Sequence, residues 1–151
     1  MHPVTVFYLD NTGKMTRDVI DGQPCIRLKI AWDKDCGEKR IAHPRKYTEV
    51  IGLIDTGAQG ILCDNEVIKN IGAPYIHDVA NRTSNGIEKT LSYCAQLHLP
   101  EYMLTKRVDI IGADLRRRGN PYDLLLGRNF LQFTSFRWDA TSGIQDFSIH
   151  V

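Results

Sequence analysis

What this chain of 151 residues lacks narrows its chemistry first. It has no charge excess: 19 Lys and Arg face 18 Asp and Glu, for a formal net charge of +1. A near-neutral chain gives no reason to expect nucleic acid or an anionic membrane as partner. No apolar run approaches the ~20 residues that a helix needs to cross a bilayer. The cysteines, Cys25, Cys36, Cys63 and Cys94, form no Cys-x-x-Cys pair and show no metal-ligand spacing. The five histidines are scattered, so no zinc site is expected. No Gly-x-Ser-x-Gly elbow, phosphate-binding loop or dinucleotide fingerprint occurs. The start, Met1-His2-Pro3-Val4-Thr5, lacks the basic residues and long apolar core of a signal peptide. These absences point to a soluble, intracellular (cytoplasmic) protein with free thiols and with neither metal nor organic cofactor.

What is present suits a globular domain. Hydrophobic content of 42% and charged content of 25% are ordinary, and the length predicts one domain over residues 1–151 with a single core. Alternation at Val4 to Leu9 predicts a strand, ended by the turn Asp10-Asn11-Thr12-Gly13. Cys25 to Ile30 alternates in the same way. Trp32 to Tyr47 is polar, mostly basic, and reads as a long exposed loop or protruding hairpin. Glu49 to Ile54 and Ile61 to Cys63 read as strands. Asp64 or Asn65 can cap a short helix that Gly72 ends.

Further on, Tyr75 to Ala80 and Ile87 to Leu99 flank Asn85-Gly86, the strongest short-range hairpin signal. Arg107 to Gly112 and Leu124 to Leu126 are strands. Arg116 to Pro121 is a charged loop, Arg128 to Phe133 a short helix, and Phe147, Ile149 and Val151 alternate into a last strand. Many short strands with one or two short helices predict a mainly β, barrel-like domain.

One segment carries chemistry. In Val50-Ile51-Gly52-Leu53-Ile54-Asp55-Thr56-Gly57-Ala58 an apolar strand delivers a single carboxylate into a turn of small residues. Gly57 has no Cβ, so a ligand can come close. On the residues alone, Asp55 is either a turn aspartate that caps its own backbone or a carboxylate presented to a substrate. The second segment that bears on this is Tyr122-Asp123-Leu124-Leu125-Leu126-Gly127-Arg128-Asn129-Phe130-Leu131, an apolar strand, a glycine and an amphipathic start.

Asp55-Thr56-Gly57 resembles the active-site motif of aspartic proteases. Leu125-Leu126-Gly127-Arg128-Asn129 resembles the late apolar-apolar-Gly-Arg-(Asn/Asp) element of the single-domain, retropepsin-like members. The two stand in the family's order, and the resemblance spans roughly Ile26 to Phe133. It implies a closed, barrel-like retropepsin fold, and a peptide hydrolase in which two aspartates share one proton and activate a water. The chain holds one Asp-Thr-Gly, so the resemblance implies a two-fold homodimer with Asp55 facing its symmetry mate.

By the same resemblance, Thr56 braces the two catalytic loops, and Gly57, Ala58 and Gln59 border the substrate. Ser84, Asn85 and Gly86 then sit at the tip of a flap that closes over an extended polypeptide. Arg128 supports the catalytic loop. Its usual acidic partner, two residues after the motif's glycine, is Gln59 here, so that ion pair is expected to be absent or rerouted. Asp109, Asp114 and Asp123 read as solvated loop residues. The tip Thr83-Ser84-Asn85-Gly86 is polar where retroviral flaps are glycine-rich and apolar. The rival expectation is a retropepsin-like dimerisation or peptide-binding module with little catalysis. The termini, lacking an obvious partner within one domain, are expected to interleave into an intersubunit sheet.

Overall fold

A computed structural model describes residues 2–37 and 41–150, with Asn81, Thr83 and Tyr102 described by their backbone alone. The strands are β1 (His2–Pro3), β2 (Phe7–Leu9), β3 (Met15–Thr16), β4 (Gln23–Ala31), β5 (Thr48–Ile54) and β6 (Ile61–Asp64). After helix α1 (Asn65–Ile71) come β7 (Tyr75–Thr83), β8 (Gly86–Leu99) and β9 (Leu104–Ala113), with a single 3-10 turn at Pro100–Tyr102. Then follow β10 (Leu124–Leu126), helix α2 (Arg128–Leu131), β11 (Thr134–Asp139) and β12 (Gly143–Ile149). The fold is mainly β, as the alternating segments predict.

Nine strands form one sheet in the order β3-β2-β4-β5-β10-β6-β9-β8-β7. β4 also pairs with β8, Lys29–Ala31 against Gln96–His98, so the sheet curls back on itself into a barrel-like wall. Inside lies one main core, with Ile26, Ile30, Ile61, Ile110, Leu124 and Leu126 fully buried. Burying each such side chain contributes roughly 1.5–3 kcal/mol before the cost of ordering it.

The arrangement of β5, β10 and β6 decides where the site lies. β10 is inserted between β5, to which it is parallel, and β6, to which it is antiparallel. The link between consecutive strands β5 and β6 must therefore pass over a strand that arrives some 60 residues later, a span of about 9–10 Å. Gly52 permits the close approach of β5 to β10, because a Cβ there would lie 2.7 Å from Leu126 Cδ1.

Several expectations are corrected. The N-terminal strand breaks in two: His2–Pro3 joins one sheet, Phe7–Leu9 another, and Val4 and Val6 between them pack against the core. The termini do find partners within the chain. β12 lies in the middle of a three-stranded sheet, β1-β12-β11, and its Phe147 and Ile149 are buried in the main core. The C-terminal strand is thus a structural part of the folded chain. Val151, expected at its end, lies outside the described residues.

β11 was not anticipated, although Phe136 and Trp138 alternate and Asp139 opens a turn by accepting the N–H groups of Thr141 (2.8 Å) and Ser142 (3.1 Å). The hairpin β7–β8 turns one residue earlier than Asn85-Gly86 suggested. Thr83 pairs with Gly86, so Ser84-Asn85 is the turn and Gly86, at φ 109°, opens β8.

The 32–47 segment, expected to be exposed, is pinned to the wall; its residues 38–40 lie outside the described set. Arg45 holds the buried carboxylate of Asp33 through Nε and Nη2, each at 2.8 Å. Gln96 exchanges two 2.8 Å hydrogen bonds with the Asp33 backbone. A second clasp gathers around Thr105 Oγ1, which lies 2.8 Å from both His43 Nδ1 and His98 Nδ1. A hydroxyl has one proton, so at least one imidazole must donate to it. His98 is buried and stacks on Tyr47 at 4.6 Å.

Burial, then the positive charges of His43 and Lys29, hold the pKa of His98 below its ordinary value. The folded state therefore resists a proton that the unfolded chain accepts. The resulting stability is full above the ordinary histidine pKa of about 6.5 and falls as the pH drops through that value towards the folded one. Melting temperature is expected to decline on acidification across this window, and His98→Gln is expected to flatten the decline. An identical slope in wild type and variant, measured by circular dichroism, would show that His98 takes up its proton equally in both states.

Candidate active site

Asp55 directly follows β5, a strand whose inward residues Val50, Gly52 and Ile54 are buried. Its backbone N–H donates to Leu126 O on β10 (3.1 Å), which fixes the residue at the point where the chain leaves the sheet. Asp55 is half-buried, whereas Thr56 and Gly57 are exposed. Oδ1 of Asp55 accepts the Gly57 N–H at 2.8 Å. Asp55 thus caps its own turn, and the same bond orients the carboxylate.

Every carbonyl from residue 56 to residue 59 is then held by the start of α2. Arg128 Nη1 donates to Thr56 O (3.0 Å) and Gly57 O (3.3 Å). The backbone N–H of Arg128 donates to Ala58 O (2.9 Å), and that of Asn129 to Gln59 O (3.0 Å). The first N–H groups of a helix lack intrahelical acceptors, and here the loop supplies them. The expected loss of an Arg128–Gln59 ion pair is explained: the guanidinium is rerouted to two main-chain oxygens, and Gln59 takes part through its backbone.

Gly127 makes this contact possible. A Cβ at that position would overlap the Gly60 carbonyl oxygen and come within 2.8 Å of Ala58 O. The glycine is needed for closeness of approach, not for an unusual dihedral, since its φ is −82°.

Two further residues belong to this region, Tyr122, to which the sequence assigned no role, and Asp123, which it assigned to solvent. The pKa of the buried Tyr122 phenol is raised by burial and, secondarily, by the negative charge of Asp55, which places the ring in that carboxylate's field. Asp123, expected to be solvated, is instead a brace. Its Oδ2 accepts the Ile51 N–H (2.9 Å) and its Oδ1 accepts Arg116 Nε (2.9 Å). Their signal was adjacency to Leu124–Leu126, but adjacency alone cannot tell a brace from a loop residue. Asp114 is tied to Asn65 Nδ2 (2.9 Å).

The structure thus brings Asp55, Thr56, Gly57, Ala58, Gln59 and Arg128 into one constellation. Ser84, Asn85 and Gly86 stand on a separate element, the exposed tip of the β7–β8 hairpin. Among the described residues no group of three or more His, Cys, Asp or Glu could hold a metal. No helix among them is long and apolar enough to cross a membrane. The four cysteines are free, and burial pushes the Cys25 thiol up to about 12.

Comparison with solved structures identifies the architecture. The chain is similar to EIAV protease complexed with the inhibitor HBY-793, at a TM-score of 0.53 and 16% identity, over 75% of this chain and 88% of that one. It is likewise similar to a retropepsin-like aspartic protease from Rickettsia conorii, at 0.51 and 18%, over 95% of this chain and 86% of that one. No protein-family model and no curated protein matches the sequence. The fold is retropepsin-like, and at these identities the likeness is one of fold.

The grip of α2 on the loop has a direct test. Gly127→Ala is expected to lower unfolding stability by at least about 2 kcal/mol, because a backbone carbonyl blocks the added methyl. Urea denaturation measures this. A variant as stable as the parent would mean that the loop does not pass so close to Gly127.

Proposed function

We propose that this protein is a homodimeric aspartic endopeptidase in which Asp55 of each chain supplies half of one catalytic dyad. The observation that carries this reading is the fixing of all four carbonyls after Asp55 by Arg128 and Asn129. Such bracing holds a carboxylate in one place at the surface, as general acid–base chemistry requires.

Two such carboxylates facing each other across a two-fold axis cannot both ionise. One keeps a proton and donates to the scissile carbonyl oxygen. The other takes a proton from a water, which attacks the carbonyl carbon. No covalent intermediate with the enzyme forms, and no metal or organic cofactor takes part. Thr56, which is exposed, would bond across the dimer axis.

An extended polypeptide substrate would lie between the floor, Gly57, Ala58 and Gln59, and a flap formed by Ser84, Asn85 and Gly86. Main-chain pairing with floor and flap would bind it irrespective of sequence. The Gly57 carbonyl can accept a substrate N–H in addition to Arg128, since a carbonyl oxygen has two lone pairs.

Asp55→Asn should abolish cleavage of denatured casein while fold and dimer persist. The assay is run across pH, and the parent should give a bell-shaped profile whose limbs belong to the pair. Retained cleavage by the variant would remove Asp55 from the mechanism. Saturable peptide binding with no cleavage by the parent at any pH would favour the rival, a peptide-binding module.

The shared site makes a second demand. Activity per chain should fall on dilution in step with dimer dissociation, followed by sedimentation velocity and initial rates. An active monomer would overturn the shared dyad, because one chain carries one Asp-Thr-Gly.

A further inference from the structure

A lysine breaks the pattern of β9. Residues 104, 106, 108 and 110 lie on one face of that strand, and Leu104, Val108 and Ile110 pack on or within the main core. Lys106 occupies the remaining place in this row. Its side chain runs into a groove of about 320 Å³ bounded by β8, β9, α2 and β12, walled by Leu28, Leu97, Leu99, Phe130 and Ile149. Its ammonium rests over the Phe133 ring, 4.4 Å from the centroid, and among the described residues it meets no carboxylate.

Arg107, Asn129 and Thr134 complete the polar part of the lining, which among the described residues contains no acidic residue. The volume falls at the lower end of small-molecule sites, about 300–1000 Å³. A cation placed in an otherwise apolar row is a local inconsistency of the kind expected where a site has been built.

We propose that this groove binds a medium-chain aliphatic carboxylate, its chain against the apolar wall and its carboxylate on Lys106. Chain burial supplies a gain proportional to apolar area, and the ammonium supplies a charge-assisted hydrogen bond. None of residues 55–59 lines the groove, and ligand binding is read without a cleavage assay, so the outcome is independent of proteolysis. The two do share α2: Asn129 lines the groove while its backbone N–H holds Gln59 O, and Phe130 lines the groove while Arg128 grips the loop.

The probe is decanoate, titrated calorimetrically into the full chain, with decanol and acetate as comparators. Saturable binding of one decanoate per chain is expected, with decanol weaker by about tenfold or more and acetate without effect. Lys106→Met keeps the bulk and removes the charge; it should weaken decanoate by a similar factor and leave decanol unchanged. Val108→Phe should fill the groove and abolish both. Melting temperatures of the free variants establish that each is folded. If Val108→Phe is not, Leu104→Phe, on the same row, takes its place. No saturable decanoate binding would overturn the proposal. So would equal binding of decanoate and decanol, or decanoate affinity unchanged in Lys106→Met.

Discussion

The insertion of β10 between β5 and β6 is the constraint on which the rest of the site depends. Two strands consecutive in the chain are kept one strand apart, so their connection must cross the end of the intruder. That crossing is the Asp55 loop. Its carbonyls point at the N-terminus of α2, which begins as soon as β10 ends, and two sets of unsatisfied groups satisfy one another. Gly127 sits at the pinch because only hydrogen fits under the Ala58 and Gly60 carbonyls. Carboxylate, loop and helix are one unit, and a disturbance at any of them reaches the others.

The barrel wall around that unit is closed off by polar clasps as well as by apolar packing. The 32–47 segment joins β4 to β5, and it is fastened to β8 and β9 by Asp33, Arg45, Gln96, His43 and Thr105. A buried carboxylate such as Asp33 is tolerable only because a guanidinium and main-chain N–H groups meet it; the side-chain bond from Arg45 is the chief reason its pKa lies far below the usual range. The clasp holds the root of β8, whose opposite end is the tip of the β7–β8 hairpin. One strand therefore runs from the pinned, buried base of the wall to an exposed hairpin tip.

How much of this could be read without coordinates differs from element to element. The strands of period two, Cys25 to Ile30, Glu49 to Ile54 and Leu124 to Leu126, were legible because alternation or apolar runs follow directly from burial. The α1 stop at Gly72 was legible because a left-handed residue there, φ 67°, favours glycine. Asp55, Gly127 and Arg128 were legible as a pair of motifs in order. Less was visible where polar residues are structural. Asp33, Arg45, Gln96 and Asp123 look like ordinary surface residues in a string of letters, since nothing local distinguishes a paired, structural polar group from a solvated one. The ends were misjudged for a related reason: a two-residue strand such as His2–Pro3 has no periodicity to detect.

The sequence by itself determined the class of fold, the position of the one Asp-Thr-Gly, and the local turns, because these depend on neighbours within a few residues. Only the tertiary structure decided which strands became neighbours, that α2 reroutes its arginine to the Thr56 and Gly57 carbonyls, and that both termini close onto the chain's own core. Those outcomes rest on pairings between segments tens of residues apart, chosen by the joint requirement to bury apolar area and leave no main-chain group unpaired. No single segment carries that requirement, so no single segment could reveal it.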